Sequence, residues 1–95
     1  MPYALRLEPW ASQEWKVKIF DVEGPEEPHV TIYRRASPRW RLDLRTGRLM
    51  DREPRARDLP AGLVAAVVAH LDELRAAWER LHPTNPVGRT RTGDG

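Results

Sequence analysis

The chain has 95 residues, no cysteine, sixteen basic against fourteen acidic side chains and a formal charge of +2. A chain of that length forms one thin-cored domain burying about 60–65% of its unfolded surface, which favours a shallow groove or flat binding face over an enclosed active site. Without cysteine there is neither a disulfide framework nor cysteine-held zinc. The opening MPYALRLEPW is too short and too charged for a signal peptide. The longest apolar run, Leu63 to Ala69, falls far short of the ~20 residues of a membrane span, so the expectation is a soluble cytoplasmic protein.

In chain order, Tyr3-Ala4-Leu5-Arg6-Leu7 alternates as a short strand stopped by Pro9. The run from Trp15 to Val22 is clearer: Trp15, Val17 and Ile19 share one face while Lys16 and Lys18 share the other. Gly24-Pro25-Glu26-Glu27-Pro28 is a turn, because two prolines forbid a continuing ladder. His29 to Arg34 then resumes the alternation with Val30 and Ile32 inward, completing an antiparallel hairpin. After the turn at Ser37-Pro38, Trp40 to Leu44 forms a third strand with Trp40, Leu42 and Leu44 on one face. Thr46-Gly47 turns the chain again and Arg48-Leu49-Met50 adds a short edge strand, followed by a charged exposed loop from Asp51 to Asp58.

Asp58 caps a helix that Leu59-Pro60 enters, proline being tolerated in a first turn. Leu63, Val67, Leu71, Leu74, Trp78 and Leu81 recur at spacings of three and four and draw one apolar stripe, widened by Val64 and Val68. This predicts one continuous helix of about 22 residues, ~33 Å long, ended by Pro83 and Pro86. The expected fold is α+β: an antiparallel three- to four-stranded sheet with a single C-terminal helix on one face, spanning residues 1–82. Residues 83–95, poor in apolar side chains, are expected to be a disordered tail.

Charge is distributed unevenly along this frame. Nine arginines lie between Arg34 and Arg57 against three acids, whereas the first 33 residues hold three basic and six acidic side chains. Such a dipole points to a polyanion or an acidic partner. With a helix on the Val17 face, the opposite face gathers Lys16, Lys18, His29, Thr31, Tyr33, Arg39, Arg41 and Asp43. Lys16, Lys18, Tyr33, Arg34, Arg35, Arg39 and Arg41 form the candidate nucleic-acid or partner site, cations tracking phosphates and Tyr33 stacking a base. The competing reading is a solvated face whose arginines pair with Glu26, Glu27, Asp43, Asp51 or Glu53. Fourteen arginines against two lysines suit GC-rich codon usage as well as bidentate contacts to phosphate or carboxylate, but codon usage does not explain the clustering.

His29, at the mouth of its strand, is the catalytic candidate, a general base that needs a carboxylate from Glu26 or Glu27. A histidine at the end of a strand is, however, more often a hydrogen-bonded structural residue than a catalyst. His29, His70 and His82 stand on separate elements with no i,i+4 pair, so no metal site and no cofactor are expected. His82 suits the negative end of the helix dipole. There is no phosphate-cradling glycine loop, serine elbow or carboxylate pair, which leaves a conventional hydrolase without support.

Glu27-Pro28-His29-Val30, then Trp40-Arg41-Leu42-Asp43, then Glu73-Leu74-Arg75-Ala76-Ala77-Trp78 resemble the DhiT-like family of short bacterial proteins, a domain of unknown function. The resemblance runs from Val17 to Leu81 and matches the family at His29, the strand-opening histidine, and Trp78, the helix tryptophan. It implies a toxin of a type II toxin–antitoxin pair, silenced by a small antitoxin. The chain departs from the family at Thr31, where a second histidine is usual, and in the more basic loop from Arg45 to Asp58. The leading expectation is therefore a small interaction protein of the toxin–antitoxin kind, its basic face meeting RNA or an acidic antitoxin. The alternatives are a non-catalytic nucleic-acid-binding accessory protein and a weak nuclease using His29, with Arg34, Arg39 and Arg41 on phosphate. The sequence leaves enzyme or non-enzyme open, along with the oligomeric state.

Overall fold

The computed structural model describes residues 2–22 and 25–87. Four antiparallel strands lie in sequence order: β1 (Tyr3–Ala4), β2 (Trp15–Ile19), β3 (His29–Arg34) and β4 (Trp40–Asp43). The central pairings set Val17 opposite Ile32 and Val30 opposite Leu42, which puts the apolar residues of alternate positions on one side. β1 is shorter than the alternation predicts. It pairs Tyr3 with Ile19 and Ala4 with Lys18, adds one bond from the Leu5 amide to the Val17 carbonyl, and then leaves the sheet. Leu7 turns into the core, and a 3-10 turn at Ala11–Gln13 with a left-handed Glu14 (φ 73°) leads back into β2. At the other edge, Asp43 accepts hydrogen bonds from the amides of Arg45 and Thr46, and Gly47 takes the positive φ of 76° that the turn requires. The expected edge strand at Arg48-Leu49-Met50 is reduced to a single bridge, Leu42 to Leu49.

The helical region differs from expectation. Two helices stand where one was predicted: α1 (Leu63–Val68) and α2 (Leu71–Leu81). Asp58 is not the cap; it ends a 3-10 turn at Ala56–Asp58, and the chain enters α1 through Gly62 at φ 84°. At the break the His70 amide bonds to Val67 instead of Ala66, a tightened turn, and the Leu74 amide restarts the ladder from the His70 carbonyl. The tip of the 43–47 turn sits beside this break: a Cβ on Gly47 would lie 3.2 Å from Leu71 Cδ1 and 3.7 Å from Val68 Cγ2.

Leu63, Val67, Leu74, Ala77 and Trp78 join Val17, Ile19, Val30, Ile32, Leu42 and Leu44 in one buried cluster, so the fold is α+β with helices and sheet sharing a core. β1 is also tied to α2. The Tyr3 hydroxyl donates to Glu73, and burial together with that bond pushes the phenol up to about 12. The expected domain limit at residue 82 is too early. Trp78 Nε1 donates to the Asn85 carbonyl at 2.7 Å, Asn85 Nδ2 donates to the Glu26 carbonyl at 2.7 Å, and Val87 is buried. Residues 83–87 thus form a strap across the end of α2, because the indole donor and a valine both find their partners there. The rest of the expected tail, 88–95, lies outside the described residues.

Candidate functional site

Register brings the predicted face together: Lys16 opposes Tyr33, Lys18 opposes Thr31, and Thr31 opposes Arg41. Alternation adds a residue that sequence reasoning passed over, Phe20, two beyond Lys18 on the same side. Phe20, just past the end of β2, and Lys16, the partner position of Tyr33, are four residues apart in the chain, about 13 Å at strand rise. The ring centroids of Phe20 and Tyr33 nevertheless lie 6.3 Å apart. The two rings therefore lean toward each other over the Lys18–Thr31 pair, which explains why Thr31, expected on an open face, is only 2% exposed. The Arg39 guanidinium caps them, its Cζ 4.6 Å from the Tyr33 centroid and 5.5 Å from that of Phe20.

Arg34, Arg35, Arg41 and Arg45 are engaged within the chain. Arg34 Nε donates to the Gln13 carbonyl at 2.9 Å. Arg35 pairs with Glu14, and its hydrogen bond and charge hold the Glu14 carboxyl below the usual range. Arg41 grips Asp51 with both Nε (2.9 Å) and Nη2 (2.7 Å), which lowers the Asp51 carboxyl, and lies 3.7 Å from Glu26. Arg45 pairs with Glu27 and donates to the Val87 carbonyl. The internally paired reading thus describes Arg41 and Arg45, while Arg35 pairs with Glu14, an acid outside the expected set, and Arg34 is held by a carbonyl. Among the described residues, Lys16, Lys18 and Arg39 form no ion pair.

His29 is not on the open face. Its ring is fully buried, Nδ1 donates to the Glu27 carbonyl at 2.8 Å, and its centroid is 5.7 Å from that of Trp78. Trp78 in turn lies 4.1 Å from the buried His82, whose Nε2 donates to the Phe20 carbonyl at 2.9 Å. The end of α2 and the 83–87 strap close over the start of β3, so the imidazole has no surface to offer a phosphodiester, and the catalytic assignment gives way to a structural one. His82 likewise serves the sheet edge through Phe20. His70 is part-exposed and pairs with Glu73 at 3.3 Å. Among the described residues, no group of three or more His, Cys, Asp or Glu side chains is placed to hold a metal ion, and no helix is long and apolar enough to cross a membrane.

Comparison with protein-family models, curated proteins and solved structures returns no match. The site is therefore argued from its own chemistry.

Proposed function

We propose that this protein is a non-catalytic interaction module whose lysine–arginine–aromatic sheet face holds an anionic segment, with single-stranded RNA the ligand its chemistry favours. One observation carries the reading: Arg39 lies over the rings of Tyr33 and Phe20, beside Lys16 and Lys18, which form no ion pair among the described residues. Cations that track a backbone and ring faces that accept bases are the two parts of a single-strand platform. The reading includes a helical layer on the Val17 side of the sheet, which leaves the lysine side to the ligand.

The resemblance to DhiT-like proteins adds a setting, the toxin of a type II pair acting in the cytoplasm. Within it an acidic antitoxin is a second occupant, favoured by the fact that Arg35, Arg41 and Arg45 already hold carboxylates of their own chain. Binding of labelled oligouridylate at low salt tests the first reading, comparing the full chain with Lys16→Glu/Lys18→Glu/Arg39→Glu. The expected result is binding without cleavage, lost in the variant while its circular dichroism stays native. Undiminished binding by the variant would remove the face from consideration. Absence of RNA binding, together with growth arrest relieved by a neighbouring acidic protein, would transfer the face to the antitoxin.

A further inference from the structure

Register sets the residues of the open face in rows across the sheet. Ile32 pairs with Trp40, so the next position outward brings Arg39, one residue before β4, alongside Tyr33. Lys16 opposes Tyr33 from β2. Tyr33 thus stands between two cations, each one strand away at the ~4.8 Å spacing of neighbouring strands. Of these, Arg39 turns in over the aromatic pair, its Cζ 4.6 Å from the Tyr33 centroid and 5.5 Å from that of Phe20.

That contact closes the covered face of Tyr33 to a base. A base slipped between ring and guanidinium would need a separation of about 7 Å, two contacts of the ~3.5 Å optimum, where 4.6 Å is present. The guanidinium itself is available. Arg39 is exposed, and among the described residues it makes no hydrogen bond and no ion pair. Arg34, Arg35 and Arg41, by contrast, are turned onto partners of their own chain. A guanidinium plane is a surface on which bases stack, as an aromatic ring is. A base that settles on Arg39 leaves it in contact with both rings and adds one contact more. A base that stacks on Tyr33 directly must first take Arg39 away from Tyr33 and Phe20 alike, forfeiting both cation–π contacts.

We infer that Arg39 is the base-stacking residue of this face: a base rests on its guanidinium, Tyr33 and Phe20 support that guanidinium from beneath, and Lys16 and Lys18 meet the phosphates. The inference rests on the RNA-binding reading, and it makes the face selective for polyanions that carry bases. Lysine at position 39 would keep the charge and offer no plane.

The test compares two strands of equal length and charge, oligouridylate and the same strand with tetrahydrofuran spacers in place of its nucleosides. Each is bound at low salt to the full chain and to Arg39→Lys. The full chain is expected to hold oligouridylate about tenfold more tightly than the spacer strand. Arg39→Lys should hold the spacer strand as the full chain does, which shows its fold and charge to be intact, and oligouridylate no more tightly than that. A variant that keeps the preference for oligouridylate, or binds it better, would overturn the inference and seat the base on the rings, with the face reading standing. Equal weakening toward both strands would make Arg39 a phosphate contact and overturn it too. Equal affinity of the full chain for both strands would also overturn it, leaving a face that reads charge alone. Binding of neither strand ends both the inference and the RNA reading.

Discussion

The imidazole of His29 donates a hydrogen bond from Nδ1 to the Glu27 carbonyl, sets Nε2 3.9 Å from the Glu26 carboxylate and packs against Trp78, in a fully buried site. Replacing it with alanine removes a buried ring and strands a carbonyl, so His29→Ala is expected to lower the unfolding free energy by about 2–4 kcal/mol in urea titrations. RNA affinity of the folded variant should be unchanged. A variant of native stability that had lost an RNA-cleaving activity would instead restore the catalytic role. At this scale the sequence was half legible. Period-two alternation correctly put Lys16, Lys18 and Tyr33 on one side, and the same rule applied two residues further would have found Phe20. It could not reveal that Thr31 is roofed by two leaning rings or that His29 lies beneath the end of a helix. Both depend on groups distant in the chain.

Among the elements, the strands were the most readable, because β-branched and aromatic residues alternating with charge leave little choice of face. Trp15–Ile19, His29–Arg34 and Trp40–Asp43 fall within the expected runs. The helix was less so. No proline or glycine marks the break at Ala69-His70, and the apolar stripe runs through it; only the approach of Gly47 to Leu71 and Val68 shows what the break accommodates. The strap was misread for a related reason. Composition suggested a tail, but composition does not count a single indole donor. Trp78 Nε1 is buried and its acceptor is the Asn85 carbonyl, while Val87 fills core volume and its amide donates to Glu79 at 3.0 Å. A chain ending at His82 leaves that donor without its acceptor and opens the core. It is expected to lose about 2–4 kcal/mol of stability, measured as a fall in the urea midpoint at unchanged slope. Equal midpoints for the shortened and full chains would return the domain limit to residue 82.

For the whole molecule, the arginine-rich sequence overstates the charge available to a partner. Surface ion pairs contribute little to folding, commonly about 0–1 kcal/mol each, yet they decide how many counterions a bound strand can release. Arg35 and Arg41 are neutralised by Glu14 and Asp51, and Arg34 is turned onto a carbonyl, which leaves Lys16, Lys18 and Arg39 of the candidate set. Three cations on a single strand give a log–log salt slope of about −2, whereas all six would give about −4. The measurement is oligouridylate affinity across a range of salt. A slope near −2 that persists in Arg34→Gln/Arg35→Gln/Arg41→Gln is the expected result, since those side chains release no counterions in the first place. A slope near −4 that flattens in the same variant would mean that RNA competes the arginines away from their own carboxylates. The internal pairs would then be a resting arrangement of the face that binding dismantles.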